Sequence, residues 1–468
     1  MTAEQVGFAL IVLGILLLAG KFLRLAAPPL QRLFMPSSVI AGVFGLLLGP
    51  EVLGRLAPGF RGANGLFPEY VVDVWTTLPV LLINVIFAGL FLGKKIPGVR
   101  EVWMVAGPQV AFGQTLAWGQ YVVGITLALV VLTPLLGAPP MAGALIEIGF
   151  QGGHGTAAGL EDTFEQVGFE EATDLALGLA TVGVVSGLVF GVWAIQWGTR
   201  RGYSNVLDRP SQANPQDLLG VADPSDREAA GWLTTRSSSI DVLTLSAAYL
   251  GFAILLGQLL LEGLVLVEAY LVGSEFMTYV PLFPLAMIGG LILQLLLSRF
   301  DRFKLLDRGM VIRIQNLALD LLIVSAVATL SLTVLGENLA MFFLLATAGV
   351  AWNVFVFVKL ARRMIPEYWF ERGIGDTGQS LGMTATGLLL IRMADPDHKS
   401  PAMEAFGYKQ LLFEPIVGGG LFTAISVPLI FEFGPLPILG IASVLMVGFM
   451  SLGLLYFGRS PRPPDPMD

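Results

Sequence analysis

Runs of about 20 apolar residues recur along the chain, and a helix of that length crosses the hydrocarbon of a bilayer. They fall at residues 6–25, 36–55, 71–92, 102–136, 172–198, 239–262, 278–298, 311–335, 338–361, 408–433 and 436–457. The fourth run is too long for one straight crossing, so it should tilt, kink or extend beyond the bilayer. Two further stretches, 140–165 and 373–396, are apolar but rich in glycine and threonine and lack a clean run. They read as broken helices or re-entrant hairpins. The pattern predicts an all-α polytopic membrane protein with eleven spans and two hairpins.

Charge placement orients these spans. Lys21, Arg24 and Arg32 follow the first, and Lys94, Lys95 and Arg100 the third. Arg200, Arg201 and Arg209 follow the fifth, Arg299, Arg302, Lys304 and Arg308 the seventh, and Lys359, Arg362, Arg363 and Arg372 the ninth. The alternate connections carry mainly acids, such as Glu161, Asp162, Glu165, Glu268, Glu275 and Glu337. Basic loops stay cytoplasmic, so the N-terminus is expected outside and the C-terminus inside. Met1–Gln5 has no basic region, and the first run reads as a retained helix rather than a signal peptide.

Composition agrees and excludes alternatives. Only 13% of the 468 residues are charged, against 55% hydrophobic, about half the charge of a soluble domain. A cytosolic enzyme and a nucleic-acid binder are excluded. With no cysteine and only His154 and His398, thiolate chemistry and a histidine-rich metal centre are excluded too. No HExxH, G-x-S-x-G or phosphate-loop motif points to an enzyme. Residues 199–238 differ, with 5 basic and 5 acidic residues plus Pro210, Pro215 and Pro224. They read as a cytoplasmic linker between an N-terminal membrane repeat, 1–198, and a C-terminal one, 239–433. Residues 434–468 form an additional span and tail.

Each half reads as four spans, a hairpin and a fifth span, an odd number that inverts the second half. Pro36–Gly45 aligns weakly with Pro281–Gly290, and Asn84 falls opposite Ser325. In the hairpins, Glu147-Ile-Gly149 through Gly153 falls on Asp376-Thr-Gly378 through Gly382. The expected fold is therefore two inverted five-span repeats, each with a re-entrant hairpin, plus a C-terminal span. That architecture belongs to secondary transporters, whose broken helices present free N–H groups and positive dipole ends near the midplane. Such a site suits a carboxylate or another anion.

Candidate chemistry sits in the hairpins. Gln151, Gly152, Gly153, His154, Gly155 and Thr156 form the first tip, and Gln379, Ser380, Gly382, Thr384 and Thr386 the second. As a set they are read as substrate-binding; the bland alternative is a hydroxyl or amide bonded to its own helix. Glu147 lies five residues before Gly152, about 7 Å along a helix. A carboxylate at membrane depth suggests an ion or proton site, although it can be a structural, hydrogen-bonded group. Asp376 is its repeat mate, with an N-cap role as the alternative. Asp320, Asn84 and Ser325 lie mid-span and complete the candidate Na⁺ ligands, or else bridge helices. Gly183, Gly187 and Gly191 form overlapping GxxxG units for close packing.

Gly152-Gly-His-Gly-Thr156, with the acidic loop and Gly168-Phe169 after it, resembles the signature of bacterial sodium/glutamate symporters. Gly382-Met-Thr-Ala-Thr386, Phe406-Gly407 and Phe413-Glu414-Pro415 resemble the matching second segment, and Pro36–Gly45 the second span. The resemblance covers roughly residues 10–435. It implies Na⁺-coupled uptake of L-glutamate across the bacterial inner membrane, with no organic cofactor. It also implies a homodimer in which each chain has a scaffold domain and a moving transport domain. Another carboxylate carried with Na⁺ or H⁺, or an ion channel or exchanger without organic substrate, remain the alternative readings.

Overall fold

The computed structural model describes residues 2–32, 35–57, 65–94, 99–207, 219–221, 227, 229–236, 238–271, 276–396 and 399–459. Much of the predicted linker lies outside the described residues, as do Lys95, Arg209, Pro210, Pro215, Pro224, Glu275 and His398. Among the described residues there is no strand. In chain order the principal helices are α1 Ala3–Ala26, α2 Ser37–Leu48, α3 Glu69–Ala88, α4 Val99–Leu127, α5 Ala172–Arg200, α6 Val242–Leu271 and α7 Leu282–Phe300. There follow α8 Arg308–Ala328, α9 Leu339–Val356, α10 Trp369–Leu381, α11 Thr384–Ala394, α12 Ala402–Phe413, α13 Leu421–Phe433 and α14 Pro435–Ser451.

Ten helical segments among the described residues are long and apolar enough to cross a membrane. They match ten of the eleven expected spans. The over-long fourth runs from Val105 to Leu136 through a π-turn at Ala128–Leu132 and stops at Gly137, whose φ is +70°. The expected span 408–433 is not one helix. It breaks between α12 and α13, over residues 414–420. Pro415 lacks an N–H and cannot continue the ladder, and Gly418 and Gly419 adopt φ of +103° and +95°, which side-chain-bearing residues rarely take. The expected second hairpin is the pair α10 and α11, which pack on one another. The first is more irregular: a 3₁₀ turn at Pro140–Ala144, a π-turn at Ile148–Gly152 and the short helix Gly153–Gly159.

The chain forms two compact units, and each draws on both sequence halves. Unit 1 comprises Met1–Ile96, His154–Gly168 and Pro215–Thr333; unit 2 comprises Pro97–Gly153, Phe169–Asn214 and Val334–Asp468.

In unit 1, α1, α2 and α3 from the first half pack with α6, α7 and α8 from the second. The pairing is reciprocal: α2 lies on α8, and α7 lies on α3. Small residues permit the contacts, since a methyl on Gly42 would meet Val327 and one on Gly45 would meet Ala328. Helix ends are closed by polar side chains. The Arg308 guanidinium donates to the carbonyls of Gly89, which caps α3, and of Leu92 just beyond it, at 2.6 and 2.8 Å. At the outset, Thr2 and Gln5 form a reciprocal capping box that starts α1.

In unit 2, α5 carries the entry segment of the first hairpin and the whole of the second. A methyl on Gly149 would run into Leu179 and the Ala176 carbonyl, and one on Gly183 would collide with the Leu381 carbonyl oxygen. Gly187 and Gly191 continue that stripe against Leu381, Thr386 and Leu390. The GxxxG pattern thus has its partner, the second hairpin. Beneath it, Phe357, Phe370, Ile374 and Leu390 belong to one buried apolar cluster.

Candidate functional site

Three breaks in helical structure come together inside unit 2: the Ile148–Gly153 segment, the Gly382–Met383 turn and the Glu414–Gly420 break. Ser380 Oγ donates to Gln151 Oε1 at 3.2 Å, joining one hairpin to the other. A methyl on Gly153, itself at φ +74°, would touch the Gly382 carbonyl and Met383. One on Gly418 would lie 3.1 Å from Gln151 Nε2. Gln120 of α4 braces the junction, donating to the Ser380 carbonyl at 2.6 Å and to Asn353 Oδ1 at 3.3 Å. All of these side chains are buried. Close approach of backbones at such a junction requires glycine, which the sequence supplies.

Glu147 is fully buried and hydrogen-bonded throughout. Tyr121 Oη donates to its Oε2 at 2.6 Å. The Gly418 amide and Thr423 Oγ1 donate to Oε1 at 2.8 and 3.1 Å. Thr423 also accepts from the Gly418 and Gly419 amides, both at 3.2 Å. The carboxylate therefore pins the glycine break to the first hairpin. Its partners are all neutral, and the described residues offer it no ion pair.

Asp376 is equally buried but differently held. Lys409 Nζ approaches its Oδ1 at 2.8 Å, and Gln109 Nε2 donates to the same oxygen at 3.2 Å. Lys409 also donates to Gln379 Oε1 at 2.5 Å. The buried Arg372 reaches the cluster through Gln109, its Nε donating to Gln109 Oε1 at 3.2 Å. The Asp376 side chain does not form an N-cap; it sits inside α10. Near the second tip, Thr384 Oγ1 donates to Glu414 Oε1 at 3.0 Å and accepts from Gln410 Nε2 at 2.7 Å. Thr386 is buried against Gly382 and Gly187.

The remaining candidates belong to unit 1. The boundary falls at Gly153, so Gln151 and Gly152 lie in unit 2, while His154, Gly155 and Thr156 lie in unit 1. The helix they start packs on α3, where methyls on Gly155 and Gly159 would press on Ile83. Asn84 Nδ2 bonds its own helix at Val80 O, 2.8 Å, and Ser325 Oγ does the same at Leu322 O, 3.0 Å. Both donors take the bland role of bonding the backbone behind them. Asp320 is surface-exposed on α8 and pairs with Ser38. Among the described residues there is no cluster of three or more His, Asp or Glu that could hold a metal ion.

Several site residues are absent from the sequence reading: Gln109, Gln120, Tyr121, Asn353, Lys409 and Thr423. Each lies within or beside an apolar run, where an isolated polar residue carries no spacing signal. Lys409 was the most legible of them, as a cation within the expected span 408–433.

Residues 5–391 match the sequence model of the family described as Sodium/glutamate symporter. The chain belongs to that family. It is 24% identical over 427 residues to the "Sodium/glutamate symporter" of Haemophilus influenzae, covering 89% of this chain and 94% of that protein. It is 26% identical over 356 residues to the protein of the same description in Escherichia coli (strain K12), covering 75% of this chain and 81% of that one. The match to the sodium/glutamate symporter family takes in both hairpins as far as the last turn of α11 and ends before α12, which carries Lys409.

Proposed function

We propose that the protein is a secondary active transporter that couples Na⁺ entry to uptake of L-glutamate by alternating access. Membership of the sodium/glutamate symporter family supports this. So does the meeting of the Ile148–Gly153 segment, the second hairpin's turn and a glycine-rich break inside one unit, joined by the Ser380–Gln151 hydrogen bond, which is the observation that carries the reading. Substrate carboxylates would take N–H groups at the start of α11, where the helix dipole favours an anion, with Gln151, Ser380 and Thr384 as neighbouring polar groups. Na⁺ prefers hard oxygen ligands, and Glu147 supplies a buried carboxylate that no cationic side chain among the described residues neutralises. Reciprocal packing of α2 on α8 and α7 on α3 supports the inverted repeat on which alternating access rests.

The expected setting is the bacterial inner membrane, with the N-terminus outside, the C-terminus cytoplasmic and two chains per assembly. The decisive experiment is uptake into proteoliposomes. An inward Na⁺ gradient should drive accumulation of radiolabelled L-glutamate, and dissipating that gradient should abolish it. Accumulation indifferent to Na⁺ would overturn the coupling, and competition by citrate or aspartate in place of glutamate would reassign the substrate.

A further inference from the structure

We propose that the Lys409 ammonium is a tethered cation standing where an exchangeable Na⁺ would sit in the second hairpin, so that Asp376 couples no ion. The proposal rests on the symport reading and specifies which of the two buried hairpin acids is left out of the ion cycle.

Lys409 comes from α12, outside the hairpin, and is 3% exposed. Its Nζ lies 2.8 Å from Asp376 Oδ1 and 2.5 Å from Gln379 Oε1. It also lies 5.0 Å from the centre of the Phe406 ring, whose face attracts a cation. A carboxylate oxygen and an amide oxygen are the donors a small hard cation uses. An ammonium of the same charge already fills them.

The stem has a built path. A methyl on Gly113 of α4 would lie 2.8 Å from Lys409 Cδ and 3.0 Å from Nζ. Glycine at that position therefore leaves the room the lysine occupies. Charge counting points the same way. One buried carboxylate, Asp376, faces Lys409 and, through Gln109, Arg372. The ammonium sits 2.8 Å from Asp376 Oδ1, and in a poorly polarisable interior a fixed positive charge at that distance repels a further cation. Glu147 offers the opposite situation, with neutral donors only. Asp376 Oδ2 is buried and accepts no hydrogen bond from the described residues. Removing the ammonium would free Gln379 Oε1 beside Asp376 Oδ2 and leave Oδ1 held by Gln109 alone among the described residues.

The test measures radioactive Na⁺ and L-glutamate uptake in the same proteoliposomes, giving a Na⁺:glutamate ratio for wild type, Lys409→Gln and Asp376→Asn. The expectation for Lys409→Gln is an additional Na⁺ per glutamate and a steeper dependence of uptake on Na⁺ concentration. For Asp376→Asn the expectation is an unchanged ratio, whatever the turnover. An Asp376→Asn ratio lower than wild type, or a Lys409→Gln ratio and steepness equal to wild type, overturns the proposal. Should Lys409→Gln fail to reconstitute, the Asp376→Asn ratio decides alone. Should wild type move no glutamate, the symport reading fails, and equilibrium binding of radioactive Na⁺ to detergent-solubilised wild type and Lys409→Gln still decides the tethered cation. Extra binding in the variant supports it, and equal binding overturns it.

Discussion

The two hairpins bury an acid at equivalent places and treat it in opposite ways. Glu147 is held by a tyrosine hydroxyl, a threonine hydroxyl and a backbone amide. Asp376 is held by a lysine and a glutamine, with an arginine one side chain further out. Neutral donors orient a carboxylate but leave its charge in place, and a buried charge without a counter-ion is costly. A mobile cation would meet that cost at Glu147, while the chain meets it permanently at Asp376. On the proposed ion cycle, the sequence symmetry between the hairpins would not carry over into symmetry of function. One half can keep an exchangeable ion while the other replaces it with a side chain.

The largest expected effect breaks the permanent pair. Lys409→Met leaves Asp376 buried without its direct ion pair, a change that typically costs about 3–5 kcal/mol, with Arg372 only reaching it through Gln109. Thermal melting in detergent should show the loss, and Lys409→Met combined with Asp376→Asn should recover most of it. If the single variant melts like wild type, Asp376 has another counter-ion and the contrast collapses. Next comes Tyr121→Phe, which removes one donor from Glu147 and should cost about 1.5–3 kcal/mol, as expected for a hydrogen bond to a charged group. It should also lower Na⁺ affinity without altering the Na⁺:glutamate ratio. An unchanged Na⁺ affinity there would detach Glu147 from the ion site.

Gly183→Ala tests the helix that both hairpins share. Its methyl would collide with the Leu381 carbonyl, and overpacking of this kind costs about 1–3 kcal/mol. The strain should fall on the second hairpin, so limited proteolysis or hydrogen exchange should show α10 and α11 loosened more than the first hairpin. The smallest effects belong to unit 1. Asn84→Ala and Ser325→Ala delete bonds to their own helices and should shift stability by no more than about 0.5 kcal/mol. Na⁺ half-saturation should barely change; a large shift would move an ion site into unit 1.

Much of the fold was legible because apolar run length is a strong signal in a membrane chain. Ten spans follow from it directly, and the second hairpin from a glycine- and threonine-rich stretch that lacks a clean run. The break at residues 414–420 was missed although Pro415 and Gly418–Gly420 were in view, because hydropathy averaged over 408–433 hides a local interruption. The glycine stripe at Gly183–Gly191 was read as a packing surface, but its partner could not be, since spacing along one helix does not say what lies opposite. The acids at 147 and 376 stood out as charges among apolar residues. Their environments did not, because Lys409 is 33 residues from Asp376 and Gly418 is 271 from Glu147. Only the folded chain brings these together.

The most direct test of the contrast is equilibrium Na⁺ binding to purified Glu147→Gln and Asp376→Asn, each compared with wild type in the same detergent. Neutralising Glu147 should weaken Na⁺ binding at least about tenfold, roughly 1.4 kcal/mol, while neutralising Asp376 should leave the number of Na⁺ bound unchanged. Na⁺ lost from Asp376→Asn and retained by Glu147→Gln would contradict the account and exchange the roles of the two hairpins.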